Sequence, residues 1–155
     1  MKLRLVAVGA KSPAWVDAGF TDYARRMPRE CALELVEITP ANRKGWPAER
    51  IRADEGERIL ARLGRTDRVV ALDVTGKPCS TEKLANKLDD WRMTGGDVSF
   101  LIGGADGLDA SCLARADESL SLSAMTFPHQ LVRVMLAEQL YRAWTVLAGH
   151  PYHRA

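Results

Sequence analysis

The three histidines stand in the last quarter of the 155-residue chain, at positions 129, 150 and 153. An imidazole titrates near neutrality, which makes His153, in the terminal segment, a candidate proton acceptor. His150 and His153 are three residues apart, a spacing that could suit a metal. Pro151 breaks any helix that would align them, however, and no third ligand stands nearby. Glu138 and Arg142 lie four residues apart, where a helix sets side chains face to face. On an exposed surface such a pair contributes a few tenths of a kcal/mol. These two sit among Leu136, Leu140, Tyr141 and Trp144, and charges retained among apolar groups point to function more often than exposed ones do. The other feature with chemical potential is Gly103-Gly104 with Gly107, directly after the apolar run Val98–Ile102. A backbone without Cβ atoms at a strand's C-terminal end can turn sharply and present its own polar groups, and ligands of open α/β sheets bind at that edge. A ligand-free tight turn is the plainer alternative.

Other catalytic signatures are missing. The chain has no G-x-S-x-G elbow, no G-x-x-x-x-G-K phosphate loop and no G-x-G-x-x-G dinucleotide fingerprint.

The elements that must position these groups are legible from periodicity. Leu3 to Val8 predicts a first strand, and Ser12 with Pro13 predicts a helix start, with the hydroxyl as cap and proline at the first helical position. Trp15, Val16, Phe20, Tyr23 and Ala24 give an amphipathic helix ending near Met27-Pro28. Leu33 to Ile38 alternates apolar with acidic, as a half-exposed strand does. The turn-rich loop 39–47 carries Arg43, Lys44 and Trp46, a combination that can grip RNA or simply be solvated. A charged helix over 48–63 follows, with Gly64 as its expected cap. Next come a strand over 68–74, a turn at Thr75 to Pro78, and a helix capped by Ser80 or Thr81 that runs past Trp91. The order βαβαβαβ with short connections implies parallel strands and right-handed crossovers.

Beyond Gly107 the pattern changes. A short helix over 109–115, a short strand over 119–123 and a loop over 124–130 precede a long helix over 131–148. That helix is apolar on almost every side and needs cover on every side. The sheet can cover only one face, so the expectation is a homodimer built on it, with burial inside one protomer as the alternative.

Composition sets outer bounds. With 46% hydrophobic and 27% charged residues, the chain suits one soluble globular domain over 1–155. No apolar run is long enough to span a membrane, and the N-terminus reads as a strand rather than a signal peptide. Cys31, Cys79 and Cys112 are odd in number and far apart, which fits a reducing cytoplasm and no disulfide framework. A net charge of +2 neither demands nor excludes a nucleic-acid partner.

Several motifs in one order carry a resemblance. The opening over 2–26, LDVTGKP over 72–78, GGADGL over 103–108, SLSAMTFPHQLVRV over 121–134, AEQLYRAW over 137–144 and the terminal HPYHR together resemble the RlmH family of small SPOUT-class methyltransferases. The likeness spans essentially the whole chain, the loop 42–46 excepted. It implies an α/β knot, a parallel sheet flanked by helices whose C-terminal segment forms a trefoil knot, an exception to unthreaded chains. It also implies a homodimer that binds S-adenosylmethionine and methylates N3 of pseudouridine 1915 in helix 69 of 23S rRNA, on assembled ribosomes. By motif match the cofactor site comprises Leu72, Gly103, Leu122, Ser123, Ala124, Met125, Thr126 and Phe127. For the chemistry, His153 is the expected base, Arg142 the stabiliser of negative charge on the ring, Glu138 its orienter and Tyr152 a stacking platform. Arg154, Arg43 and Lys44 are the expected RNA contacts. No metal enters this scheme. A non-catalytic RNA- or nucleotide-binding module, a flavodoxin-like monomer, and a SPOUT enzyme with another RNA target are the competing readings.

Overall fold

The computed structural model describes residues 1–9, 12–41 and 44–154. Five strands, β1 (Lys2–Val8), β2 (Ala32–Ile38), β3 (Arg68–Pro78), β4 (Val98–Ile102) and β5 (Glu118–Ser121), form one sheet in the order β2-β1-β4-β3-β5. All four pairings are parallel. Every residue of β4 is buried, as its unbroken apolar run requires of a central parallel strand.

Alternate residues of β1 feed two cores. Leu3, Leu5 and Ala7 point to one face, packed under α1 (Ala14–Arg26), α3 (Thr81–Thr94) and α5 (His129–Ala148). Val6 and Val8 point to the other, covered by α2 (Ala48–Leu60) and α4 (Ala110–Arg115). The period of two in a strand makes this division.

Three local expectations give way. Pro13, not Ser12, occupies the N-cap of α1, and no side chain caps that end. The Ser12 hydroxyl instead accepts a 2.6 Å bond from Arg133, whose buried guanidinium competes for it. α2 stops at Leu60 rather than Leu63, and Gly64 is not in the left-handed region; its N–H donates to Asp67 at 2.8 Å. The turn expected at Thr75 to Pro78 lies inside β3. Leu72 and Lys77 both align with Leu120, so the intervening residues loop out of the ladder and the strand then resumes. Such a bulge re-aims the chain at a sheet edge.

The long helix behaves differently from a helix resting on a sheet alone. α1 and α3 flank α5 on both sides, so Leu136, Ala137, Leu140 and Ala143 are buried within the protomer. Leu131, Val134, Met135, Trp144 and Leu147 stay half-buried, and Val146 is exposed. No helix among the described residues is long and apolar enough to cross a membrane.

Candidate active site

At the C-terminal edge of the sheet a cleft of about 150 Å³ opens between the end of β3, the turn after β4 and the loop after β5. Seven of the eight residues expected there line it: Leu72, Gly103, Leu122, Ser123, Met125, Thr126 and Phe127. Ala124 does not; it is exposed and faces a neighbouring hollow over Val74, Gly76 and Lys83. Asp73, Val74, Ile102, His129 and Val132 complete the lining and were not among the residues expected there. Asp73 and Val74 follow Leu72 directly, while His129 and Val132 open the long helix. These four lie inside the motifs LDVTGKP and SLSAMTFPHQLVRV, and Ile102 ends the apolar run before the glycine turn, so the signal available was membership of stretches already singled out.

The turn after β4 is built by close backbone approach. A Cβ on Gly103 would stand 2.6 Å from the carbonyl carbon of Gly107, which only glycine avoids. Gly104 bridges to Gly107, and Gly107 takes a φ of 84°. The loop after β5 is tied locally: the Ser121 hydroxyl donates to the Ser123 carbonyl at 2.8 Å, and the Ser123 hydroxyl accepts from the Met125 N–H at 3.0 Å. Met125 itself is 71% exposed, an apolar side chain held over an open cleft.

A second cluster forms on the far part of α5. Arg142 grips Glu138 through Nε, 3.1 Å from each carboxylate oxygen, and through Nη2 at 3.0 Å. Both side chains are partly buried, at 23% and 17% exposure. The hydrogen bond to Glu138, and then its charge, raises the arginine pKa further, so the guanidinium is a fixed cation. The chain leaves α5 at Gly149 and closes a short 3₁₀ turn over Pro151–His153, where His150 Nδ1 accepts from the Tyr152 N–H at 3.1 Å. The Tyr152 hydroxyl donates to Glu138 at 3.2 Å. Its ring lies 4.7 Å from that of Tyr141 and beneath the Arg142 guanidinium, 5.1 Å away. Burial, a hydrogen bond with Tyr23 and the Glu138 charge push the phenol pKa up, so it remains a neutral donor. Its ring is thus engaged as an anchor of the tail, and stacking on a base would require it to let go. His153 Nδ1 is buried and has no hydrogen-bond partner among the described residues. Arg154 is exposed.

Cleft and tail sit apart in one protomer. Val132 and Tyr141 are nine residues apart on α5, about 14 Å along the axis and half a turn around it. The loop expected to meet RNA is partly visible. Lys44 is exposed, and Trp46 stacks under Arg50 at 4.0 Å; Arg43 lies outside the described residues.

Comparison with known proteins agrees with this geometry. A family model described as "Predicted SPOUT methyltransferase" matches residues 1–153. The protein named ribosomal RNA large subunit methyltransferase H from Methylococcus capsulatus is 56% identical over 155 residues, covering 99% of this chain and 100% of the relative. The protein of the same name from Hahella chejuensis is 53% identical, covering 99% of each. A solved structure reported as "Structural insights into the 2-OH methylation of C/U34 on tRNA" superposes with a TM-score of 0.51, over 94% of this chain and 97% of that one. At 21% identity it speaks for the fold alone. A parallel sheet with its cleft at the glycine turn, and full-length similarity above one half, place this chain in the SPOUT methyltransferase family.

Proposed function

We propose that the protein is an S-adenosylmethionine-dependent methyltransferase of large-subunit ribosomal RNA, acting on N3 of a pseudouridine in the cytoplasm. The observation that carries this is the cleft, where seven residues assigned by motif converge on one largely apolar hollow beside a glycine turn. The donor set fits the cofactor: apolar walls from Leu72, Leu122, Met125 and Phe127 suit an adenine ring. Exposed main chain at Gly103 and in the loop after β5 suits its hydrogen-bonding edge. The cofactor supplies an already electrophilic methyl group. The protein's task is to align the attacking nitrogen with it and to remove that nitrogen's proton.

His153 is the proposed base, since its Nδ1 has no hydrogen-bond partner among the described residues and an imidazole nitrogen can take up a proton. Arg142, held by Glu138, is the cation for charge developing on the ring. Tyr152 fastens the tail to Glu138, and Arg154, Arg43 and Lys44 would meet RNA phosphates. Because the first turns of α5 wall the cleft while its middle and last turns hold the tail, the complete site in this reading is made by two protomers, the tail of one reaching the cleft of its partner. The half-exposed apolar strip on α5, with Trp15 at 61% exposure on α1, supports such a homodimer. The trefoil knot belongs to the same reading.

The test is methyl transfer from labelled S-adenosylmethionine to ribosomes and to free ribosomal RNA from cells lacking this protein, with the labelled nucleoside identified by mass. Label in a methylpseudouridine, on ribosomes and not on naked RNA, is the expected result. Cofactor binding without label would assign another RNA target. No binding at all would favour a non-catalytic module.

A further inference from the structure

We propose that Asp73 is the residue by which the cleft tells a cationic sulfonium cofactor from its neutral thioether product. The inference rests on the reading that this cleft holds S-adenosylmethionine.

Asp73 is the only acidic residue among those lining the cleft; the other titratable lining residue is His129. It stands where β3 leaves its ladder, between Leu72 and Lys77, and is half-buried. Its Oδ2 accepts from the Thr75 hydroxyl at 2.9 Å and its Oδ1 from the Thr75 N–H at 3.3 Å. Among the described residues it forms no salt bridge.

The local turn needs one acceptor oxygen for the Thr75 N–H, which asparagine also supplies, while its amide N–H can donate to the Thr75 hydroxyl in place of the Oδ2 bond. A full negative charge beside an apolar hollow adds a desolvation cost that the turn does not require. Each carboxylate oxygen also keeps a lone pair beyond those given to Thr75. The charge therefore gains a use when something cationic enters the cleft.

Methyl transfer changes the cofactor's charge at one atom. The sulfur–methyl bond breaks with its electron pair left on sulfur, the methyl joins the attacking nitrogen, and that nitrogen's proton leaves to a base. Sulfonium becomes thioether. Ammonium and carboxylate of the amino-acid portion are common to cofactor and product and cancel in any comparison. A fixed carboxylate thus favours the form before transfer and releases its hold afterwards. In a site of intermediate dielectric, a carboxylate within several ångströms of the sulfonium separates the two by about tenfold.

The experiment is calorimetry of the full-length protein and of its Asp73→Asn variant with S-adenosylmethionine, S-adenosylhomocysteine and sinefungin, in which a protonated amine replaces the methylsulfonium. Asparagine keeps the turn, and the neutral product reports whether the cleft is intact. The substitution is expected to weaken both cationic ligands about tenfold while leaving the neutral one within about twofold. Raising salt should narrow the preference in the parent protein and leave the variant unmoved. An equal loss for all three ligands would mean that Asp73 holds a part common to them, such as the ribose, and would overturn the proposal. So would equal retention. A parent protein that binds none of the three would overturn the cofactor reading itself, a result distinct from either.

Discussion

Arg133 shows how one side chain can settle two elements at once. It is fully buried near the start of α5, an expensive place for a guanidinium. Its Nη2 donates to the carbonyls of Gly9 at 2.7 Å and Val8 at 3.3 Å, and its Nη1 to Ser12 and, at 3.0 Å, to Glu37. The planar fork of arginine meets these acceptors in a way a lysine cannot. Replacing it with methionine fills the space but strands buried carbonyls, and the expected loss is about 3 kcal/mol of unfolding free energy. Glu37→Gln should cost well under half of that, since Glu37 is 39% exposed and glutamine still accepts. Urea denaturation of both variants checks the contrast. Cys112 offers a pH-dependent counterpart. Burial, and then the negative charge of Asp109, push its thiol up to about 11, from 9.0 in the open chain. The folded state therefore holds the proton more tightly than the unfolded one. Stability from this group is fully present below pH 9 and is lost as pH rises toward 11, by roughly 2 kcal/mol. Cys31 and Cys79 shift the same way through burial, so Cys112→Ala should shallow the alkaline decline in denaturation midpoint rather than abolish it.

At the scale of elements, α2 and α4 meet at a glycine. A Cβ on Gly56 would stand 2.9 Å from Asp109 Cβ and 3.3 Å from Ser111 Oγ. Asp109 is the N-cap of α4, its side chain accepting from the Ser111 N–H, so it cannot easily retreat. Alanine in a helix interior normally gains about 1 kcal/mol over glycine. Here the clash should outweigh that gain, and Gly56→Ala is expected to lower stability by about 1–2 kcal/mol, read as a fall in Tm. The same elements show what periodicity can reveal. β1, β2, β4 and the helices between them were legible because their apolar spacing repeats within the element itself. The fate of Ser12 was not, because its partner Arg133 lies 121 residues away and a local cap is the natural reading of serine before proline. The bulge in β3 was hidden for a similar reason: TGKP has turn chemistry, and only the pairing with β5 shows that the strand resumes after it. In the cleft, motif residues were found one by one, but Asp73 and His129 carry no pattern of their own. Their place becomes visible only when three chain segments converge.

At the scale of the whole molecule, α5 separates what a methyltransferase must unite. Its first turns, with His129 and Val132, wall the cleft; its later turns, with Glu138 and Arg142, hold the tail through Tyr152. A straight helix keeps its faces fixed, and a tail moored to Glu138, about 9 Å along the axis from Val132 and two-thirds of a turn around it, would have to give up that mooring to enter its own cleft. The proposed second copy of the chain, related by a twofold axis, would resolve this, since whatever brings one protomer's tail to the other's cleft then does so twice. Complementation tests the arrangement. Phe127→Asp puts a charge into the apolar wall of the cleft and His153→Ala removes the proposed base, so each variant alone should be close to inactive. Unfolding, mixing and refolding the two in equal amounts yields mixed dimers in which the cleft of one chain and the tail of the other are both intact. If sites are completed in trans, methyl transfer should recover to about a quarter of the parent level, as half the dimers are mixed and each carries one sound site. If each site were built within one chain, no mixture would recover, because every cleft would remain tied to its own defective partner group.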